Sequence, residues 1–88
     1  MAGVKIKLEG GGKTLEGTTD KEGDFSFSVP GPGTYVVTAV VPFEAFALQY
    51  VGDPPVQADA TESLTTFKYE VLLEKNQCKY RQLNIIKL

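Results

Sequence analysis

Apolar and polar residues alternate along much of this chain, and the alternation predicts β-strands. In residues 25–29 two phenylalanines and a valine alternate with two serines, and in residues 4–8 three aliphatic residues alternate with two lysines. A period of two is expected of a strand with one buried face, and no stretch shows the 3.6-residue period of an amphipathic helix. The pattern predicts strands over residues 4–8, 13–19, 25–29, 34–41, 43–51, 67–73 and 78–88, with a short extended piece at 56–58.

Glycine and proline separate the first four of these segments. The Gly10-Gly11-Gly12 run predicts a hairpin turn. Lys13 and Thr14 follow it, but position 7 is a lysine where a phosphate-binding loop has its first glycine, and no helix is predicted after the run. Residues 20–24 predict a tight turn with Gly23 at positive φ. The Pro-Gly-Pro-Gly sequence of residues 30–33 ends the third strand, because proline cannot donate to a β-ladder.

The second half of the chain is less regular. Residues 34–41 are apolar at both parities, which is typical of a central strand covered on both faces or of a strand that meets a neighbouring domain. Residues 43–51 permit a helix, but the shared parity of Phe46, Leu48 and Tyr50 favours a strand. The last two strands are predicted to form a hairpin through a turn at residues 74–77.

In the last strand the apolar parity slips between Tyr80 and Leu83, which indicates a β-bulge near Arg81 and Gln82. Short strands separated by turn signals predict an all-β fold, namely an antiparallel Greek-key β-sandwich of about seven strands, prealbumin-like or immunoglobulin-like. A chain of 88 residues has room for one core, so residues 1–88 are expected to form a single domain.

Composition excludes several classes of function. The net charge of -2 argues against nucleic-acid binding, which requires clustered lysine and arginine. No apolar run approaches the ~20 residues of a membrane-spanning helix, so no membrane insertion is expected. The N-terminus lacks the apolar core of a signal peptide. If the natural protein is secreted, this segment is therefore expected to come from a longer, multidomain chain.

The chain contains no histidine, which removes the usual base of a nucleophilic pair and the usual nitrogen ligand of zinc. Its single cysteine, Cys78, is expected to pack as a small apolar residue, with a reactive thiol or an intermolecular link as the alternatives. No catalytic residue, cofactor or metal is predicted, and the chain is not expected to be an enzyme.

Residues 3–47 resemble the prealbumin-like sandwich domains called carboxypeptidase regulatory-like and collagen-adhesin B-type. The resemblance is carried by Val-Lys-Ile-Lys-Leu at 4–8, by Thr-Thr-Asp-Lys-Glu-Gly-Asp-Phe-Ser-Phe at 18–27, and by Gly-Thr-Tyr-Val-Val-Thr-Ala at 33–39. The Pro-Gly-Thr-Tyr sequence ending at Tyr35 is also similar to fibronectin type III domains, in which such a tyrosine bonds back to the backbone. The family usually has one more strand before residue 4, whose place the C-terminal strand or a partner could take.

The resemblance implies a non-catalytic module of a larger secreted, cell-surface or lumenal protein, with neighbouring domains or another protein as partners. Some adhesin B-type domains join a lysine of the first strand to an asparagine of the last, beside a buried acid. The candidates for that crosslink are Lys5 or Lys7, Asn84, and Glu44 or Glu70. The two lysines alternate with apolar residues and are therefore expected to lie in solvent.

Two further groups of residues are candidate sites. The carboxylates of Asp20, Glu22 and Asp24 could bind calcium, although a solvated turn explains them better. The aromatic residues Phe43, Phe46 and Tyr50 could form a protein-docking surface or a sugar-stacking surface, or could simply close one end of the core. The sequence therefore predicts a structural or protein-interaction module, with a carbohydrate-binding accessory module as the alternative.

Overall fold

The computed structural model describes residues 2–52, 56–60, 63–74 and 77–87, which form two antiparallel four-stranded sheets packed as a sandwich. The eight strands are β1 (Lys5–Gly10), β2 (Lys13–Thr18), β3 (Phe25–Ser28), β4 (Gly33–Val40), β5 (Ala45–Gly52), β6 (Val56–Asp59), β7 (Thr66–Leu73) and β8 (Gln77–Lys87). The predicted all-β sandwich is confirmed, with eight strands in place of about seven. The brief extended piece expected near residue 56 is the complete strand β6.

The first sheet has the strand order β2-β1-β4-β7, and the second has the order β3-β8-β5-β6. Strand β4 lies inside its sheet, between β1 and β7, but Thr34 and Val40 on its outward face are exposed, so the strand is not covered on both faces. The expected C-terminal hairpin is wrong, because β7 pairs with β4 whereas β8 pairs with β3 and β5 in the other sheet. Alternation reveals that each strand has a buried face, but it does not reveal on which layer the strand lies. Strand β1 has both of its neighbours, β2 and β4, within this chain, and β8 takes no place beside it.

The inward faces of the two sheets share one core. Phe25 is 5% exposed, and its ring centroid lies 5.6 Å from that of Tyr80 and 6.0 Å from that of the half-buried Phe27. Aromatic rings at these separations add to the free energy gained from the area that they bury. The largest fully buried side chains are Tyr80, Phe67, Ile6, Leu8, Leu48, Leu83, Val4, Val37 and Cys78.

Glycines shape the β1–β2 hairpin and the approach of Tyr35 to it. Gly11 and Gly12 have φ of 56° and 75°, the left-handed values that a two-residue type I′ turn requires at both positions. A Cβ on Gly10 would overlap the ring of Tyr35. The Tyr35 hydroxyl donates a hydrogen bond to the carbonyl of Gly31, which is the backward bond that the fibronectin-like sequence predicted.

Two bulges interrupt the pairing of β5 with β8. The pairing register shifts at Phe46 on β5 and again at Gln82 on β8. Gln82 has a φ of 54°. The second bulge confirms the one predicted from the slipped parity. The first one overturns the expectation that Phe46 and Leu48 share a face, because Phe46 is 48% exposed whereas Leu48 is fully buried. In the described part of the chain no helix has the length and apolar character needed to cross a membrane.

Candidate functional site

Three connections between the sheets meet at one end of the sandwich, which we call the crossover end. Lys5 pairs with both Thr18 and Val40, and Val40 pairs with Thr66, so these residues mark one end of the first sheet. The β2–β3, β4–β5 and β6–β7 connections all start or finish there. The sequence-predicted acidic turn and two of the three candidate aromatic residues therefore lie at the same end of the molecule.

On the β4–β5 side of this end, apolar side chains face solvent. The bulge in β5 turns Phe46 outward, and the N–H of the preceding Ala45 donates to the carbonyl of Leu64 at 2.8 Å. Val40 at the end of β4 is also exposed, but it lies on the solvent face of the first sheet and belongs to a different surface. Leu64 is 40% exposed and Phe46 is 48% exposed. We call Phe46 and Leu64 the apolar end surface. Exposed apolar residues that are grouped in this way often mark an interaction site.

The other two predicted aromatic residues differ from Phe46. Phe43 is half-buried, and the Lys87 ammonium lies 4.5 Å from its ring centroid in a cation–π contact. Tyr50 belongs to β5 four residues beyond Phe46, which is roughly 13 Å along an extended strand. Its side chain lies outside the described part of the structure. A ligand surface formed by all three aromatics stays a prediction.

Sequence reasoning missed Leu64 as a member of this surface. Leu64 stands in a polar stretch between two strands, where a lone large aliphatic residue is a recognisable signal. Its position near Phe46 follows from the hydrogen bond between Ala45 and Leu64, which only the tertiary structure provides.

The acidic turn on the β2–β3 side of the crossover end uses its carboxylates to bind backbone. Asp20 Oδ1 accepts hydrogen bonds from the N–H groups of Glu22 at 2.9 Å and Asp24 at 3.0 Å. The bond from the Asp24 backbone is the largest cause that lowers the pKa of Asp20. Asp24 Oδ1 accepts from the N–H of Gln82 at 3.1 Å, across the bulge of β8. Among the described residues, no three metal-ligating side chains come together to hold an ion.

The residues beside those acids hold the start of the chain and the last strand in place. The buried Thr19 exchanges hydrogen bonds with Val4, whose N–H reaches Thr19 Oγ1 at 3.0 Å while the Thr19 N–H reaches the Val4 carbonyl at 3.0 Å. The carbonyl of Gly23 accepts from the N–H of Leu83 at 3.0 Å. The Thr-Asp-x-x-Gly pattern therefore has a structural role here. It fixes one side of the crossover end through hydrogen bonds.

The residues considered for a lysine–asparagine crosslink are not arranged for that reaction. Lys5 and Lys7 lie on the solvent face of the first sheet, and Lys7 Nζ forms an exposed ion pair with Glu9 at 3.4 Å. Asn84 is exposed on β8 in the other sheet. The candidate acids Glu44 and Glu70 are exposed as well. The reaction needs a desolvated lysine beside a protonated carboxyl group, and solvent surrounds all five of these side chains.

A shallow groove of about 530 Å³ crosses the solvent face of β2, β1 and β4. Lys5, Lys7 and Glu16 line it together with Thr38, and Glu16 lies directly opposite Lys7 in the strand register. The groove therefore carries charges of both signs at its centre, and it has no single-sign field that would select an anion or a cation.

Cys78 lies fully buried in the core on β8. Burial raises the pKa of its thiol to about 11, so the thiol stays protonated near neutral pH. The thiolate is the nucleophilic form of cysteine, which makes Cys78 unreactive in the folded protein. Its role is that of a small apolar side chain.

The search for related proteins gives no family assignment. Neither the known protein families, nor the curated proteins, nor the solved structures contain a match to this chain. The similarity of residues 3–47 to the carboxypeptidase regulatory-like and collagen-adhesin B-type domains therefore stays a prediction. The β-sandwich itself follows from the structure without it.

Proposed function

We propose that this chain is a non-catalytic β-sandwich module of a larger secreted, cell-surface or lumenal protein, in which it serves as a structural or protein-interaction domain. The observation that supports an interaction role is the apolar end surface of Phe46 and Leu64, which are 48% and 40% exposed. Its neighbours on the same end, by contrast, have committed their polar groups to backbone hydrogen bonds. Hydrogen bonds therefore hold one part of this end, and another part presents apolar side chains to solvent.

The composition of this surface favours a protein over a sugar as its partner. The side chains of Phe46 and Leu64 can neither donate nor accept a hydrogen bond. Large apolar side chains surrounded by a polar rim are typical of protein contacts. Apolar side chains of a neighbouring domain or of a second protein could cover them without a precisely placed polar partner.

The alternative, a carbohydrate-binding accessory module of an extracellular enzyme, is supported by the exposed ring of Phe46. An aromatic face can stack against the apolar face of a sugar ring. Phe43 contributes less to such a platform, because Lys87 lies over its ring.

Site-specific photo-crosslinking tests the leading proposal. A photoreactive amino acid in place of Phe46, and separately of Leu64, is expected to capture the same protein or neighbouring domain in cells that make the full-length chain. The control position is Ser26, which is exposed on β3 in the second sheet. The affinity for the captured protein should fall about tenfold or more in a Phe46→Ala, Leu64→Ser double variant, as expected for a contact hot spot.

The same variants separate the two proposals. Binding on a glycan array that is lost in Phe46→Ala, but kept in Leu64→Ser, would favour the carbohydrate module. Unchanged affinity of the double variant for the captured protein would contradict the interaction role of this surface. Turnover of a substrate by the purified chain would contradict the non-catalytic assignment.

A further inference from the structure

The edge strand β7 has the features of a self-pairing strand. It closes one side of the first sheet and pairs there with β4 alone among the described strands. Its eight residues pair with β4 in continuous register, without a bulge. The edge strands β3 and β6 have four residues each, and β2 has six residues with a glycine among them. Long and regular edges are the ones that can accept another strand.

The solvent face of β7 carries a self-complementary set of side chains. Lys68, Glu70 and Leu72 are exposed, and Leu72, at 60%, is the most exposed large apolar residue in the described part of the chain. In an antiparallel pair related by a two-fold axis, a strand centred on Tyr69 places Lys68 opposite Glu70 of the second copy. The same axis places Glu70 opposite Lys68 of the second copy. Opposite charges that face each other directly across strands are favourable.

Charge also selects this register over its neighbours. Directly opposed residues must lie on the same face of the sheet, so the pairing can slip only in steps that preserve parity. One such step in one direction places Lys68 opposite Lys68, and one step in the other direction places Glu70 opposite Glu70. Both alternatives bring like charges together at the centre of the contact. No corresponding register of β2 brings opposite charges into direct opposition, since Glu16 meets only threonine or itself.

The register also covers Leu72. It places this side chain opposite Thr66 of the second copy, which in turn lies beside Val40 through the pairing of β4 with β7. Leu72 of one copy, and Thr66 and Val40 of the other, then form one row of side chains across the contact between the two sheets. We propose that two copies of this chain associate through antiparallel β7–β7 pairing centred on Tyr69, which joins their first sheets into one continuous sheet.

The test begins with the concentration dependence of the mass of the wild-type protein. A contact between two single strands is expected to bury less area than the ~1,200 Å² of a stable interface, so the dimer should be weak. Sedimentation equilibrium should therefore cover protein concentrations from about 10 µM to about 1 mM. A monomer–dimer equilibrium is expected within that range. A monomer at every concentration would overturn the proposal, including the case in which β7 accepts only a strand from a different protein.

Charge reversal tests the register. Lys68→Glu and Glu70→Lys each replace two attractive pairs by two repulsive ones, and each should weaken the dimer by roughly tenfold to hundredfold. A 1:1 mixture of the two variants should form a heterodimer at least as strong as the wild-type dimer, because only the mixed pair sets two acidic side chains against two basic ones. The double variant K68E/E70K should regain wild-type association.

Matched controls reverse a charge on a strand other than β7. Lys79→Glu on β8 and Glu16→Lys on β2 alter exposed residues of other strands, and both should leave dimer strength within about twofold. Thermal unfolding at low concentration checks that each variant is folded. Failure of the mixture to form a heterodimer, or equal weakening by the control variants, would overturn the β7 register. Neither result would bear on the apolar end surface.

Discussion

On the β2–β3 side of the sandwich, a side chain spans the gap between the two sheets. The ring of Phe27 on β3 lies against Gly17 on β2, so close that a Cβ on the glycine would approach the ring to 3.2 Å. The absence of a side chain at Gly17 therefore gives the ring its place. At the crossover end of the same side, Val4 bonds to Thr19 and the N–H of Gln82 bonds to Asp24.

On the β6–β7 side, the edge of the first sheet is long and carries an exposed leucine. Its partner edge in the second sheet, β6, has only four residues. Both sides have two facing edge strands, but the edge of the first sheet has six residues in β2 and eight in β7. The comparison indicates that the β2–β3 side, which we call the closed side because Phe27 bridges it, contributes to the stability of the fold, whereas the β7 edge has the length needed to pair with another strand.

The largest expected effect comes from removing the ring that closes the β2–β3 side. Phe27→Ala should lower the free energy of unfolding by about 2–3 kcal/mol, somewhat less than a fully buried phenylalanine, because Phe27 is only half-buried. Chemical denaturation measures this change. Leu72→Ala on the exposed face of β7 is the control on the other side, and it should change stability by less than about 0.5 kcal/mol. Equal losses in the two variants would contradict the distinction between the two regions.

A smaller effect is expected from the buried hydroxyl of the closed side. Thr19→Val preserves the shape of the side chain but leaves the N–H of Val4 without its 3.0 Å acceptor. The free energy of unfolding should fall by about 1–2 kcal/mol, the usual cost of an unsatisfied buried group. Thr14→Val on the exposed face of β2 is the control. Amide exchange should accelerate at Val4 in the first variant only, and unchanged protection there would argue against the bond.

The smallest effect is expected from the exposed carboxylate of Asp20, and it should depend on pH. The pKa of Asp20 in the folded state is lower than the value of 3.8 expected without these hydrogen bonds, so its ionised form stabilises the native state. That contribution is fully present above about pH 5 and is lost as the pH falls through the unfolded-state value of 3.8 and then the lower folded-state pKa. The stability difference between the wild type and Asp20→Asn should therefore shrink as the pH falls below about 5.

Thermal unfolding from pH 7 to pH 2 measures this convergence. A stability difference between the wild type and Asp20→Asn that does not change with pH would show that the asparagine destabilises the turn for a reason other than the loss of charge.

The candidate surface could be predicted from sequence only in part. Phe43 and Phe46 were expected to lie near each other because they are close in the chain, and both do lie at the crossover end. Leu64 joins Phe46 through a hydrogen bond between distant segments, so no local pattern contains that contact. The bulge that turns Phe46 away from Leu48 depends equally on the pairing of β5 with β8. A bulge within β8 was predictable, since its own alternation slips.

Local alternation and turn chemistry were sufficient to determine the strands of this protein, the glycine hairpin and the sandwich class. These features depend on neighbouring residues, whose side-chain directions and backbone conformations are set within a few positions. The layer of each strand was decided only by the tertiary structure, which sends β7 and β8 to different sheets. A strand with one apolar face can bury that face from either sheet, because both sheets pack against the same core. Only the packing of all eight strands together determines which sheet the strand joins.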